Sequence, residues 1–213
     1  MPRITRPPTA RAHPYDVHKG VYMMMEWVAS LPSKTGRSLE EWLRLIERQG
    51  PASEEQRRAW LKQEQKLGTN TAWWLAERSV GKGGEDDSPE AYLAAAQTYV
   101  AEMFGGKKAA LRPILDRVVE LARGLGRDIQ VCPCKTIVPI YRRNVIAQVK
   151  PSTLTRVDLG LALGDLSATG RLIDTGGLAK KDRITHRIPL TSARDVDTEV
   201  KQWLKRAYDR DAG

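Results

Sequence analysis

The sequence predicts an α+β protein, with an N-terminal all-α helical domain joined to a C-terminal domain of antiparallel sheet with flanking helices. Apolar residues recur at helical spacing from Asp16 to Ser79, and β-branched runs dominate after Gly126. Between them lies Val80-Gly-Lys-Gly-Gly-Glu-Asp-Asp-Ser-Pro89, rich in glycine and acid and without apolar periodicity. The division that follows is a flexible basic arm over residues 1–14, a helical domain over 15–80, a linker over 81–88 and an α+β domain over 89–213.

Tyr15 to Leu31 reads as an apolar helix that Pro32-Ser-Lys-Thr-Gly36 breaks. Ser38, with Glu41 three residues on, forms a capping box for a second helix whose buried stripe is Leu39, Trp42, Leu43 and Ile46. Ser53 opens a third helix that turns Trp60, Leu61 and Leu67 inward, and Gly68 closes it. A fourth, Thr71 to Arg78, brings Ala72, Trp73, Leu75 and Ala76 to the core. Trp27, Trp42, Trp60, Trp73 and Trp74 all fall in this stretch, and such large apolar anchors suit the core of a small helical domain better than base-stacking platforms.

Beyond the linker, Ser88 as N-cap and Pro89 at the first helical position start a helix that runs to Phe104. After Gly105-Gly106 a second helix, Lys107 to Leu121, carries Leu111, Ile114, Leu115, Val118 and Val119 on one face. Strands are expected within 128–134, 135–141, 144–149, 153–163, 171–174 and 183–190, joined mostly by short turns and so largely antiparallel. Ser192 opens a last helix with Val196, Val200, Trp203, Leu204 and Ala207 inward.

Composition limits the function classes. No hydrophobic run approaches the roughly 20 residues that span a bilayer, and Met1 to Pro8 holds no apolar stretch of signal-peptide type, so a cytoplasmic protein without a membrane partner is expected. Cys132 and Cys134 sit too close in an extended chain for a comfortable mutual disulfide. The net charge of +9 points to polyanionic partners and also serves solubility, and its excess is divided between the two halves of the chain.

Thr35-Gly-Arg-Ser-Leu-Glu-Glu-Trp-Leu-Arg-Leu-Ile46, with Ala59-Trp-Leu-Lys62 and Leu67-Gly68-x-x-x-Ala72, resembles a small bacterial helical domain of unknown function. Phe104-Gly-Gly-Lys-Lys-Ala-Ala-Leu-Arg-Pro113, the segment Lys150 to Leu161, and Thr185-His-Arg-Ile188 through Tyr208 resemble a second uncharacterised domain. That domain occurs alone, after the first, or at the end of predicted nucleases and transport proteins. The order helix, sheet, helix is also similar to the YdhG-like and YjbR-like folds, a resemblance that implies iron chaperoning or DNA binding, respectively.

Several residue groups are candidates for chemistry. Gly68, Thr69, Asn70 and Thr71 resemble the second half of a helix-hairpin-helix, in which first-turn amides without intrahelical partners point at a phosphate; a plain helix start with Thr69 or Asn70 as N-cap explains the same residues. Residues 135–158 hold Lys135, Arg142, Arg143, Lys150 and Arg156 against the single acid Asp158. Strand alternation buries Val157, Leu159, Leu161 and Leu163 and turns Arg156 and Asp158 to the other face. The cluster is therefore either an anion-binding strip or a solvated face cross-linked by Arg156 and Asp158.

His186 falls in phase with the buried Ile184, Ile188 and Leu190, as a hydrogen-bonded structural histidine does. Cys132 and Cys134 share a strand face, and His186 is their only plausible companion for a soft metal, so a four-ligand zinc site is not formed and no cofactor is expected. Walker, Rossmann and His-Glu-x-x-His patterns are absent. The expectation is a non-enzymatic protein that binds nucleic acid or another polyanion. One alternative is a small-ligand or metal-handling protein with a cleft lined by Cys132, Cys134, Tyr141 and His186. The other is a protein–protein adaptor that presents its tryptophans.

Overall fold

A computed structural model describes residues 13–212 and divides the chain into two compact units, residues 17–95 and, together, residues 13–16 and 96–212. Of the arm expected over 1–14, only His13 and Pro14 lie within the described residues. Among those residues no helix is long and apolar enough to cross a membrane.

The first unit is helical, with α1 (Lys19–Ala29), α2 (Leu31–Thr35), α3 (Leu39–Gln49), α4 (Glu54–Gln63) and α5 (Thr69–Arg78). The Ser38–Glu41 capping box is present in full, and Ser53 accepts the Gln56 amide at the start of α4. Pro32 does not end the helical path. It sits in the first turn of α2, where its missing N–H costs nothing, and Gly36 closes that helix at φ 78°.

The core joins Trp42, Leu45, Ile46, Trp60, Leu61, Ala72, Leu75 and Ala76, with Leu39, Leu67 and Trp74 against its edge. Each large side chain buried there is worth about 1.5–3 kcal/mol. Trp73 is half exposed, contrary to expectation, with the Arg58 guanidinium 5.2 Å from its ring. One residue of helix rotates a side chain about 100°. Ala72, Leu75 and Ala76 hold the inner face and leave position 73 outside it.

Helix α6 (Pro89–Met103) begins as expected, with the Ser88 hydroxyl accepting the Ala91 amide. A 3-10 turn, Gly106–Leu111, replaces the start of the next expected helix, and α7 (Arg112–Arg123) begins only where Pro113 falls in its first turn. Six strands follow: β1 (Gln130–Val131), β2 (Val138–Tyr141), β3 (Val145–Lys150), β4 (Val157–Leu161), β5 (Ile173–Asp174) and β6 (His186–Leu190). They form one sheet in the order β1-β2-β3-β4-β6-β5, antiparallel throughout. Ser192 caps a 3-10 turn, and Asp197 caps the last helix, α8 (Thr198–Arg210).

Register separates the two sheet faces. Val131, Ile140, Ala147, Leu161 and His186 stand in one cross-strand row, and Val138, Val149, Leu159 and Ile188 in the next. All nine are buried, as are Val200, Leu204 and Ala207 of α8, which packs against β3 and β4. The opposite face carries Gln148, Gly160 and Arg187 in one row and Lys150, Asp158 and Pro189 in the neighbouring one.

Candidate functional site

The opposite face gathers its charge at the β3–β4 end. The turn between these strands is fixed by the buried Pro151 and by the Thr153 amide donating to the Arg156 carbonyl at 3.2 Å, while Leu154 at its tip is exposed. Lys150 stands before the turn and is the direct cross-strand partner of Asp158. Side chains of such partners have Cβ atoms about 5 Å apart.

Asp158 is shared by two arginines. Arg156 Nε lies 3.0 Å from its Oδ1, and Arg187 Nη1, reaching across from β6, lies 3.1 Å from the same oxygen. Lys108, from the 3-10 turn, donates to the Pro151 carbonyl at 2.9 Å, which brings a fourth cation to this end. Gly160 lies between Gln148 and Arg187, and a Cβ there would meet Gln148 Cγ at 2.9 Å and Ile184 Cγ2 at 2.7 Å. Arg156 and Arg187 thus meet Asp158, Lys150 stands opposite it and Lys108 is held at the adjoining turn, and Asp158 is the one carboxylate that any of the four meets among the described residues.

The other expected cations lie elsewhere. Arg142 and Arg143 occupy the β2–β3 turn, at the far end of β3. Arg142 Nε donates to Asp128 Oδ2 at 2.8 Å and Nη1 to the Tyr208 carbonyl at 3.0 Å, and the guanidinium lies 4.0 Å from the Tyr208 ring centroid. Hydrogen bonds from Arg142 and then from the Tyr208 hydroxyl hold the Asp128 carboxyl below its usual range.

Arg143 contributes its backbone. Its amide, with the Asn144 amide at 3.0 Å, donates to Asp211 Oδ2, while Asn144 Nδ2 and Arg183 donate to Oδ1. Burial pushes the Asp211 carboxyl up, but these donors outweigh burial and hold it below the usual range. A cavity of about 360 Å³ opens at this end, where Lys181, Arg183 and Arg210 meet Asp182 and Asp211 in its lining and nearly balance their charge. Lys135 belongs to neither end; its ammonium lies 5.9 Å from the Tyr99 ring centroid.

In the helical unit, Gly68 is itself the N-cap of α5, at φ −64° and ψ 150°, and no side chain accepts the first-turn amides. Thr69 and Asn70 are therefore helical residues rather than caps. Gly68 and Asn70 are exposed, and Thr69 and Thr71 are half-buried.

The four residues of the expected cleft do not converge. His186 is four strand positions from β1, a separation of about 19 Å at the usual inter-strand spacing. Its Nε2 pairs with the Leu166 carbonyl at 2.8 Å and so carries the proton, and its Nδ1 faces the Thr185 hydroxyl at 2.9 Å. Both ring nitrogens are thereby occupied within the fold. Cys132, Cys134 and Tyr141 do lie together on the β1–β2 hairpin.

Burial, followed by the nearby charges of Asp16 and Cys134, pushes the Cys132 thiol up to about 12, and burial chiefly does the same to the Tyr141 hydroxyl. Cys132 therefore remains a thiol at neutral pH, the form that neither attacks nor ligates well. Among the described residues no group of three His, Cys, Asp or Glu side chains is arranged to hold a metal ion.

Lys108 and Arg187 were not among the expected site residues. The outward phase of Arg187 along its strand was the available signal for it, whereas the placement of Lys108 depends on a contact 43 residues away. The segments that carry the family resemblance, around 104–113, 150–161 and 185–188, meet at this basic face.

Comparison with known families agrees in extent. Residues 100–211 match DUF5655, a domain of unknown function, and residues 25–77 match DUF4287, also a domain of unknown function. No curated protein and no solved structure matches the chain.

Proposed function

The chain belongs to the DUF5655 family, and on that premise we propose that it is a non-enzymatic, cytoplasmic binding protein for a polyanion, nucleic acid in the first instance. The charge balance at one end of the sheet carries this reading: Arg156 and Arg187 share the single carboxylate of Asp158, Lys150 stands opposite it, and Lys108 is held at the adjoining turn. A surplus of fixed cations raises the local concentration of phosphate-bearing chains. Guanidinium forks match pairs of phosphate oxygens better than point charges do. The net charge of +9 adds attraction at longer range, and the uncapped first turn of α5 supplies amide donors of the kind that bind phosphate. Cys132 and Cys134 are present as thiols, which suits a reducing compartment.

The test is fluorescence anisotropy of labelled duplex and single-stranded oligonucleotides against salt. Four phosphate contacts give a slope of about −3.6 in log affinity against log salt, which is about a hundredfold loss between 50 and 200 mM. The double variant Lys150→Ala, Arg187→Ala is expected to reduce that slope by about 2 in magnitude. Binding that ignores salt, or that is undetectable at 50 mM, overturns the proposal.

A further inference from the structure

From the placement of Asp158 we infer that the basic face recognises a phosphomonoester dianion, the terminal phosphate of a nucleic acid end or of a free nucleotide, in preference to the diesters of a nucleic acid backbone. The inference rests on the polyanion reading of the same face and adds a ligand class to it.

Two guanidiniums converge on the carboxylate of Asp158: Arg187 Nη1 donates to Oδ1 at 3.1 Å and Arg156 Nη2 to Oδ2 at 3.4 Å, while Arg156 Nε, 3.0 Å from Oδ1, makes no hydrogen bond among the described residues. The carboxylate therefore occupies the position that a phosphate would take between them. A ligand that uses this arginine pair must displace Asp158 or share the pair with it. A phosphodiester carries one negative charge, as the carboxylate does, and the exchange leaves the charge between the arginines unchanged. A phosphomonoester carries nearly two at neutral pH and offers three acceptor oxygens.

The second charge has partners in place. Lys150 is the cross-strand neighbour of Asp158 and meets no carboxylate among the described residues, and the Lys108 ammonium is held nearby at the Pro151 carbonyl. Gly160 in the adjoining row lets the Gln148 and Ile184 side chains lie close over the backbone, where a Cβ would meet them at 2.9 and 2.7 Å. Asp158 thus acts as an internal competitor that a dianion displaces with a gain and a monoanion without one. One added charge-assisted hydrogen bond of ordinary strength corresponds to about a tenfold preference.

The experiment measures the full-length chain by anisotropy on two duplexes of the same sequence, one with 5′-phosphate ends and one with 5′-hydroxyl ends, at matched salt. About tenfold tighter binding of the phosphorylated duplex is expected. Asp158→Asn is expected to raise affinity for the hydroxyl-ended duplex and shrink the preference to about threefold or less, and Lys150→Ala, an exposed change that leaves the packing intact, to lower the preference by weakening the phosphorylated duplex more than the hydroxyl-ended one. Competition by adenosine monophosphate, with adenosine as control, separates the two sources: effective competition assigns the site to free phosphomonoesters, and failure to compete assigns it to nucleic acid ends.

Equal affinity for the two duplexes, or a preference that Asp158→Asn leaves unchanged, overturns this inference while the polyanion reading stands. Undetectable binding of both duplexes, together with adenosine monophosphate shifting the Lys150 and Arg187 amide resonances, upholds phosphomonoester recognition and overturns the nucleic acid reading.

Discussion

Strand β3 carries cations at both of its ends, and the two ends satisfy them by different means. At the β2–β3 turn, Arg142 is held by Asp128 and Tyr208, the Arg143 and Asn144 amides are held by Asp211, and Arg183 closes on the same carboxylate. At the β3–β4 turn, Lys108, Lys150, Arg156 and Arg187 have Asp158 among them. The first arrangement spends its charge on joining the end of α8 to the sheet. The second leaves a surplus at the surface. Residue type and proximity in the sequence are alike at the two ends, and what distinguishes them is the number of acceptors that the fold brings within reach.

If the turn at Arg142 and Arg143 is structural, its largest dependence lies on Asp211, whose side chain is only 2% exposed. Asp211→Ala leaves two backbone amides and the Asn144 side chain without their acceptor, and each unsatisfied buried donor costs about 1–3 kcal/mol. A loss of about 3 kcal/mol at neutral pH is expected in denaturant unfolding, because the exposed Arg183 and Asn144 side chains regain water. The sign of the pH dependence follows from the lowered carboxyl: a depressed folded value contributes stability above the unfolded range near 4 and loses it as pH falls through the folded value. The gap between wild type and variant is therefore expected to narrow on acidification below about pH 4. A gap that is small at neutral pH would remove the contrast between the two ends.

Arg142→Ala sharpens the contrast from the binding side. The variant loses a carboxylate pair, a carbonyl bond and a ring contact, and its unfolding midpoint is expected to fall by a few degrees. Oligonucleotide affinity and salt slope are expected to stay within about twofold of wild type, since the guanidinium is already neutralised. A loss of salt slope equal to that of the Lys150→Ala, Arg187→Ala pair would make both ends parts of one binding surface.

Much of the architecture was legible in local pattern. Strand alternation from Val157 to Leu161 placed Asp158 outward, and the β-branched runs contained all six strands save the final Lys150 of β3. Ser38 and Glu41 announced their helix by a spacing that only a capping box exploits. What escaped was positional. Pro32 and Pro113 are helix breakers by type and helix starters by place, and Ser192 and Asp197 compete for the same start within five residues. At the basic face, Arg156 and Lys150 were visible because they flank one turn, whereas Arg187 reaches Asp158 across 29 residues and Lys108 reaches Pro151 across 43. Such pairings depend on sheet order and register, which no window of a few residues contains. The cleft of Cys132, Cys134, Tyr141 and His186 fell for the same reason: alternation placed His186 correctly on its strand, Cys132 and Cys134 lie past the end of β1 rather than on a shared strand face, and the order of strands keeps them from His186.

The smallest expected effect is at Arg143, and it is the most discriminating. Arg143 and Lys150 are both exposed, and both carry side chains with no carboxylate partner among the described residues, so net charge alone makes them equivalent. Position makes them different, because Arg143 adjoins carboxylates of the neutralised turn and acts through its amide, which Arg143→Ala retains. Stability is expected to change by less than about 0.5 kcal/mol, as for an ordinary surface substitution. The salt slope is expected to keep its wild-type value, while Lys150→Ala lowers it by about one contact. Equal slope losses from the two alanine variants would show that the partner responds to total charge, and the surplus around Asp158 would then have no special place in binding.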